Sequence, residues 1–259
     1  MKKIITCLAV LATVSMLMVS CHSRMYKFEV EAAGDQGTTA VAWAKDEVLA
    51  TWDDSLRFVY VPVTGVAPDS SYATTQLTKG AKTYGVRRFV YPGALCVDTA
   101  CVCLPSVQEG MGFPKTMPLY GETRDGKGDV LMKSMCGVVR LHLTTAEKLV
   151  SVKVSTADSA KYMAGVFKVD NYPYPVLQPQ SKVFQSIECD KLKGMDFAQG
   201  ADLYLYVAPA CYNTFTVTLT AEDGRVCVKN LKEDKYVVVD RNVVCTINLG
   251  QNEGDLVFE

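Results

Sequence analysis

Histidine is nearly missing from these 259 residues; it occurs at 22 and 142 only. That scarcity weighs against zinc sites and His-based catalysis, which need several ring nitrogens or one well-placed base. Excess charge of one sign is missing too. Lys and Arg number 27 against 28 Asp and Glu, for a net charge of -1. The two signs are interspersed, as on an ordinary solvated surface. No basic patch stands out, so a nucleic-acid partner has no electrostatic support. Beyond the N-terminus no stretch approaches the roughly 20 apolar residues that span a bilayer. Helical period is scarce, and residues 190–198 alone read as a turn or two of helix. No G-x-S-x-G elbow, Walker loop or dinucleotide glycine pattern occurs.

The side chains that suggest chemistry have plainer readings beside them. Cys96, Cys101 and Cys103 cluster without CxxC spacing, and Cys101 and Cys103 fall on one face of a strand, so no metal or cofactor is expected. His142 sits opposite Val139, Leu141 and Leu143 in an alternating strand, as a surface or interface residue does. Asp53-Asp54 and Asp125/Asp129 are neighbouring acids that would suit glycoside hydrolysis or calcium, yet both groups lie among turn residues, where Asp is common anyway. The chain is therefore expected not to be an enzyme.

What is present begins at the N-terminus. Met1-Lys2-Lys3 precedes an apolar stretch from Ile4 to Val19, and Met18-Val19-Ser20-Cys21 follows. A basic start, an apolar stretch and a small residue before the cut describe a secretory signal, residues 1–20. A Cys at the first mature position fits a bacterial lipobox, with Cys21 carrying a diacylglyceryl group. Of ten cysteines, removal of Cys7 and lipidation of Cys21 leave eight. An even number in an exported chain permits disulfides without fixing their pairing. Cys211, Cys227 and Cys245 also fit as small hydrophobes in strands.

The rest reads as strands and turns. Tyr26, Phe28 and Val30 alternate with Lys27, Glu29 and Glu31, the period of a half-buried strand. Phe215, Val217 and Leu219 alternate with threonines, and Glu222-Asp223-Gly224 follows as a hairpin turn. Val243, Cys245, Ile247 and Leu249 repeat the pattern. The prolines of residues 170–180 make that segment extended and loop-like. Many short strands separated by turns suggest sandwiches, and the length suffices for one large β domain or two small ones.

The order of several segments resembles the fimbrillin family of Bacteroidales, the subunits of type V pili. Trp43-Ala44-Lys45-Asp46-Glu47-Val48, Phe89-Val90-Tyr91-Pro92, Leu104-Pro105-Ser106-Val107-Gln108, Met117-Pro118-Leu119-Tyr120 and the strand from Leu131 to Thr144 follow that family's order. Ala164-Gly165 and the strand from Leu203 to Pro209 extend it through about residue 250. The histidine usual near the domain junction is absent, and Cys136-Gly137 stands nearby. The resemblance implies two tandem transthyretin-like β-sandwiches, with the boundary near residue 147 (residues 21–147 and 148–259). It also implies an outer-membrane lipoprotein precursor, loss of the first strand to a trypsin-like protease, assembly by strand exchange, and a part in adhesion.

Strand exchange has a physical basis. A sandwich that loses a strand exposes unpaired backbone and an apolar strip, and a donor strand restores both. Tyr26, Phe28 and Val30 would occupy the first sandwich in the precursor. A cut after Arg57 would free that strand with the lipid, unless Arg57 is only a surface residue. Leu256, Val257 and Phe258 form either a donor strand or an ordinary last one. The expected partners are other copies or related pilus subunits, the outer-membrane lipid, and a host or bacterial surface ligand. The rival reading is a surface glycan-binding lipoprotein using Tyr172 and Tyr174 on their Pro-rich loop, with Trp43 and Trp52 left to the core.

Overall fold

The computed structural model describes residues 24–32, 43–77, 85–110, 117–123, 128–171, 173–231, 236–252 and 254–259. In chain order the strands of the first part are β1 (Arg24–Val30), β2 (Val48–Trp52), β3 (Val59–Pro62), β4 (Gly65–Val66), β5 (Tyr72–Leu77), β6 (Arg87–Tyr91), β7 (Cys96–Asp98), β8 (Cys101–Leu104), β9 (Leu119–Thr123) and β10 (Gly128–Ser134). They continue as β11 (Gly137–Leu143), β12 (Leu149–Ser155), β13 (Ala164–Asn171), β14 (Pro175–Phe184), β15 (Ser186–Cys189) and β16 (Ala201–Val207). The last five are β17 (Ala210–Tyr212), β18 (Phe215–Ala221), β19 (Val226–Leu231), β20 (Val237–Val239) and β21 (Val244–Leu249). The chain is all-β in stacked sheets; among the described residues the only helical turn is the 3-10 turn Gly93–Leu95.

The first sheet runs β3-β2-β6-β9-β10-β1-β5-β4. β10 passes from one layer into the other. Its residues from Gly128 to Met132 lie parallel to β1, while Lys133 and Ser134 pair antiparallel with β9. The layers then face each other: the Phe89 ring of β6 lies 4.9 Å from Phe28 and 5.1 Å from Tyr26 of β1. Trp52 and Trp43 are buried in this core, as β-favouring aromatics should be.

Four smaller sheets follow: β14-β13-β8-β7, β15-β12-β18-β19, β16-β11-β21 and the pair β17-β20. β7 and β8 precede residue 147 in the chain, and β8 pairs with β13, which follows it. β18 shows the expected period: Phe215, Val217 and Leu219 are buried and the intervening threonines are not. Its hairpin to β19 turns at Gly224, whose φ of 88° suits glycine.

Two local expectations need correction. Residues 190–198 form no helix; the Met195 amide donates to the Leu192 carbonyl and the Gly200 amide to the Phe197 carbonyl, two separate turns. Leu192 and Phe197 are buried, and Gly194 at φ 84° breaks any helical run between them. The Pro-rich segment after residue 174 is not a loop but the ten-residue strand β14. β14 is an edge strand, and an edge tolerates prolines because their missing N–H can face outward.

Candidate functional site

β1 is the element to which the most specific geometry converges. It is an interior strand and not a peripheral one. β10 pairs with it in parallel from Tyr26↔Gly128 to Val30↔Met132, and β5 pairs antiparallel from Arg24↔Leu77 to Glu29↔Tyr72. Tyr26 and Phe28 are fully buried, Val30 packs partly buried against the core, and Met25 on the opposite face is 65% exposed. The exit of β1 is gripped as well. The Glu31 carboxylate accepts from the Ser134 amide at 2.6 Å and from Arg241 Nη1. Asn242 Nδ2 donates to the Ala32 carbonyl at 3.1 Å.

The basic residues after β1 occupy different places. Lys45 lies exposed in the turn closed by the Glu47 amide on the Ala44 carbonyl, ahead of β2. Arg57 is exposed in the loop between β2 and β3. A cut after Arg57 would detach β2 together with β1, although Leu49, Ala50 and Trp52 of β2 are buried and β2 pairs with both β3 and β6. A cut after Lys45 would detach no strand but β1, and with it the buried Trp43.

The tail lies beside β19. Val226 and Glu259 exchange both backbone hydrogen bonds, at 2.9 and 3.1 Å, and Lys229 Nζ donates to the Asp255 carbonyl at 2.9 Å. Leu256 and Phe258 pack partly buried against the core, and Val257 is exposed. Tyr174 is half exposed and carries two cations over its ring, Arg241 at 4.6 Å and Lys133 at 5.0 Å. It thus stands beside the exit of β1. Cys21 and Tyr172 lie outside the described residues.

The acidic and basic groups elsewhere hold structure. Asp53 is buried against Arg87 of β6, Oδ2 to Nη2 at 3.5 Å, and accepts from the Ser55 amide at 2.9 Å. Asp54 pairs with Arg88 at 2.7 Å, and that hydrogen bond holds its carboxyl below the usual carboxylate range. His142 Nδ1 lies 2.8 Å from one oxygen of Asp202, and Arg140 takes the other at 2.6 Å. Arg140 keeps Asp202 ionised by lowering its pKa. Among the described residues no group of three or more His, Cys, Asp and Glu is placed to hold a metal ion.

The eight described cysteines are all free. Burial pushes the Cys96 thiol up to about 12 and Cys189 up to about 11, and raises Cys136 as well. Cys211 is exposed, against the expectation of an apolar strand position, because it faces outward on the short β17-β20 pair. Since the thiolate is the nucleophile, iodoacetamide at pH 8 should label Cys211 first and Cys96, Cys136 and Cys189 last. Peptide mapping that finds Cys136 modified as fast as Cys211 in the folded chain would contradict this placement.

Two side-chain contacts were not legible in sequence. The Gln108 amide copies a strand neighbour along the edge of β16: its Oε1 accepts from the Tyr206 amide at 3.0 Å and its Nε2 donates to the Tyr206 carbonyl at 2.9 Å. Trp43 meets Tyr91 at 4.7 Å between ring centroids. Segments that the resemblance rests on therefore touch in space, in two pairs.

Among solved structures the chain is similar to a candidate cell adhesion protein from Bacteroides ovatus. The TM-score is 0.57 at 9% identity, covering 93% of this chain and 96% of that one. A tip fimbrial protein from Porphyromonas gingivalis, with a C-terminal truncation, aligns at a TM-score of 0.43 and 12% identity over 91% of this chain and 98% of its own. A fimbrial assembly protein from Parabacteroides distasonis aligns at 0.42 and 10% over 91% and 94%. At these identities the likeness is one of fold, and the first alignment carries it over nearly the whole of both chains. No protein-family model matches the sequence, and no curated protein does.

Proposed function

We propose that the chain is a surface fimbrial or adhesion subunit, not an enzyme, that joins other subunits when its first strand is replaced. The observation that supports this best is the place of β1. It is flanked by hydrogen-bonded strands on both sides, its aromatic side chains fill the core, and one covalent connection, residues 31–47, ties it to β2. Detachment would leave β5 and β10 with unpaired edges and an apolar slot between them. Such a slot attracts another extended chain, with backbone bonds supplying affinity and alternate side chains supplying the match.

In this reading Cys21 bears the lipid and tethers the precursor to the outer membrane, and the cut falls after Lys45, which frees β1 without β2. The fold shared with the Bacteroides ovatus protein, itself described as a candidate in cell adhesion, agrees with an adhesive surface role. In this reading the chain divides into two sandwiches near residue 147, with residues 96–104 and 137–143 contributing strands to the second. Gels of unboiled surface extract test the reading. It expects a ladder of multiples of the subunit that collapses to one band on boiling; a single band under both conditions speaks against exchange.

A further inference from the structure

Tyr174 stands at the tip between β13 and β14, where Asn171 pairs with Pro175. Pro173 and Pro175 flank it and restrict its backbone. Its ring is half exposed, and two cations from distant parts of the chain lie over it, Arg241 of the turn after β20 at 4.6 Å and Lys133 of β10 at 5.0 Å. Each cation is fixed by a further contact. Lys133 Nζ donates to the Pro173 carbonyl at 2.9 Å. Arg241 Nη1 donates to the Ser134 carbonyl at 3.2 Å and to the Glu31 carboxylate. These contacts leave donors over. Among the described residues Arg241 Nε and Nη2 have no partner, Lys133 makes no ion pair, and the Tyr174 hydroxyl makes no hydrogen bond. Two like charges beside one ring repel each other, and an anion held by both relieves that repulsion.

We infer that Tyr174, Lys133 and Arg241 form a binding site for an acidic sugar. The inference rests on the adhesive part of the reading above and not on strand exchange. The Nε and Nη2 groups of Arg241 form the planar fork that takes a carboxylate through two parallel hydrogen bonds. Lys133 adds a compact charge beside it. The exposed part of the Tyr174 ring offers apolar surface to a pyranose, and its hydroxyl offers a hydrogen bond. The site is held in place before any ligand arrives, so little ordering is lost on binding.

An acidic peptide fits less well. The Val169 amide donates to the Ala100 carbonyl, so Val169 faces β8. Its partner Leu177 therefore points its N–H toward the free edge of β14. Pro175 and Pro179 share that direction and have no N–H. From residue 175 to 179 the edge beside the site offers one donor, too few for a peptide to extend a ladder. A sugar needs no ladder, because its carboxylate and its apolar C–H groups lie on one ring.

Sialic acids of host glycans and uronic acids of microbial or plant polysaccharides carry the same carboxylate. Calorimetric titration of the full chain with sialyllactose, trigalacturonate and the neutral controls lactose and maltotriose separates them. At least one acidic sugar should bind, and neither neutral sugar should. Binding of sialyllactose alone supports the site and assigns it to host glycans; binding of trigalacturonate alone supports it and assigns it to polysaccharide. Lys133→Gln and Arg241→Gln should each weaken binding about tenfold. Lys133→Gln leaves the pair of Glu31 with Arg241 in place, so it decides the matter if a thermal melt shows that Arg241→Gln does not fold. Glu31→Gln keeps an acceptor for the Ser134 amide, drops the charge that competes for Arg241, and should tighten binding. Equal binding of the neutral sugars, binding of neither acid, or full affinity in the Lys133→Gln chain overturns the site. Tighter binding of a short polyglutamate peptide than of either acid overturns sugar as the ligand. The ladder of unboiled subunits is independent of all these outcomes, so failure of the sugar site and failure of the subunit reading are told apart.

Discussion

Phe28→Ala should cost the intact chain about 3–5 kcal/mol, the range for truncating a large core aromatic. Phe28 is fully buried, sits 4.9 Å from Phe89 and also faces Trp43 at 6.3 Å. Its removal takes away apolar burial and opens a cavity between two layers that cannot close without moving both sheets. At roughly 2–4 °C per kcal/mol for a domain of this size, the melting temperature should drop by roughly 10 °C. Met25→Ala, three residues earlier in the same strand and on the exposed face, should change stability by less than about 0.5 kcal/mol. A thermal melt of both variants checks the pair. Similar losses would mean that β1 lies flat on the surface and not in the core.

Arg87→Ala should be as damaging, for an electrostatic reason. Arg87 is buried on β6 and faces the fully buried Asp53. Breaking a buried pair by removing one partner strands a charge where water cannot reach it, at about 3–5 kcal/mol. Asp53 keeps the amide and the hydroxyl of Ser55 as donors, but these neutral groups do not replace the lost cation. The double variant Asp53→Asn with Arg87→Met removes both charges and should recover most of the loss. Denaturant midpoints for the three chains decide this. If Arg87→Ala costs no more than the double variant, the pair is solvated and contributes little.

Much of the architecture was legible because period two is a strong signal where one face is buried. Tyr26 and Phe28 in β1, and Phe215, Val217 and Leu219 in β18, announce both the strand and its inward face, and Gly224 announces the turn. β14 was not legible, because its prolines argue against a strand until its place at a sheet edge is known. The exposure of Cys211 was hidden for the same kind of reason: whether a strand residue faces in or out depends on the partner sheet, which sequence does not state. The site divides likewise. Tyr26, Phe28 and Val30 stand out in sequence by alternation. Nothing local in Asp240-Arg241-Asn242 couples it to Glu31. Nor does spacing reveal that the Asp53-Asp54 turn is completed by Arg87 and Arg88, or that β2 separates Arg57 from β1. Long-range partners of charged residues are the part that only the folded chain supplies.

The claim on which the account depends is that β1 leaves while β2 stays. Intact-mass spectrometry of the protein shed from the cell surface measures it directly. The account predicts a polypeptide that begins at Asp46, lacking the lipidated residues 21–45. Molecules that all still begin at lipidated Cys21, or that begin at Phe58 with β2 gone as well, would contradict it.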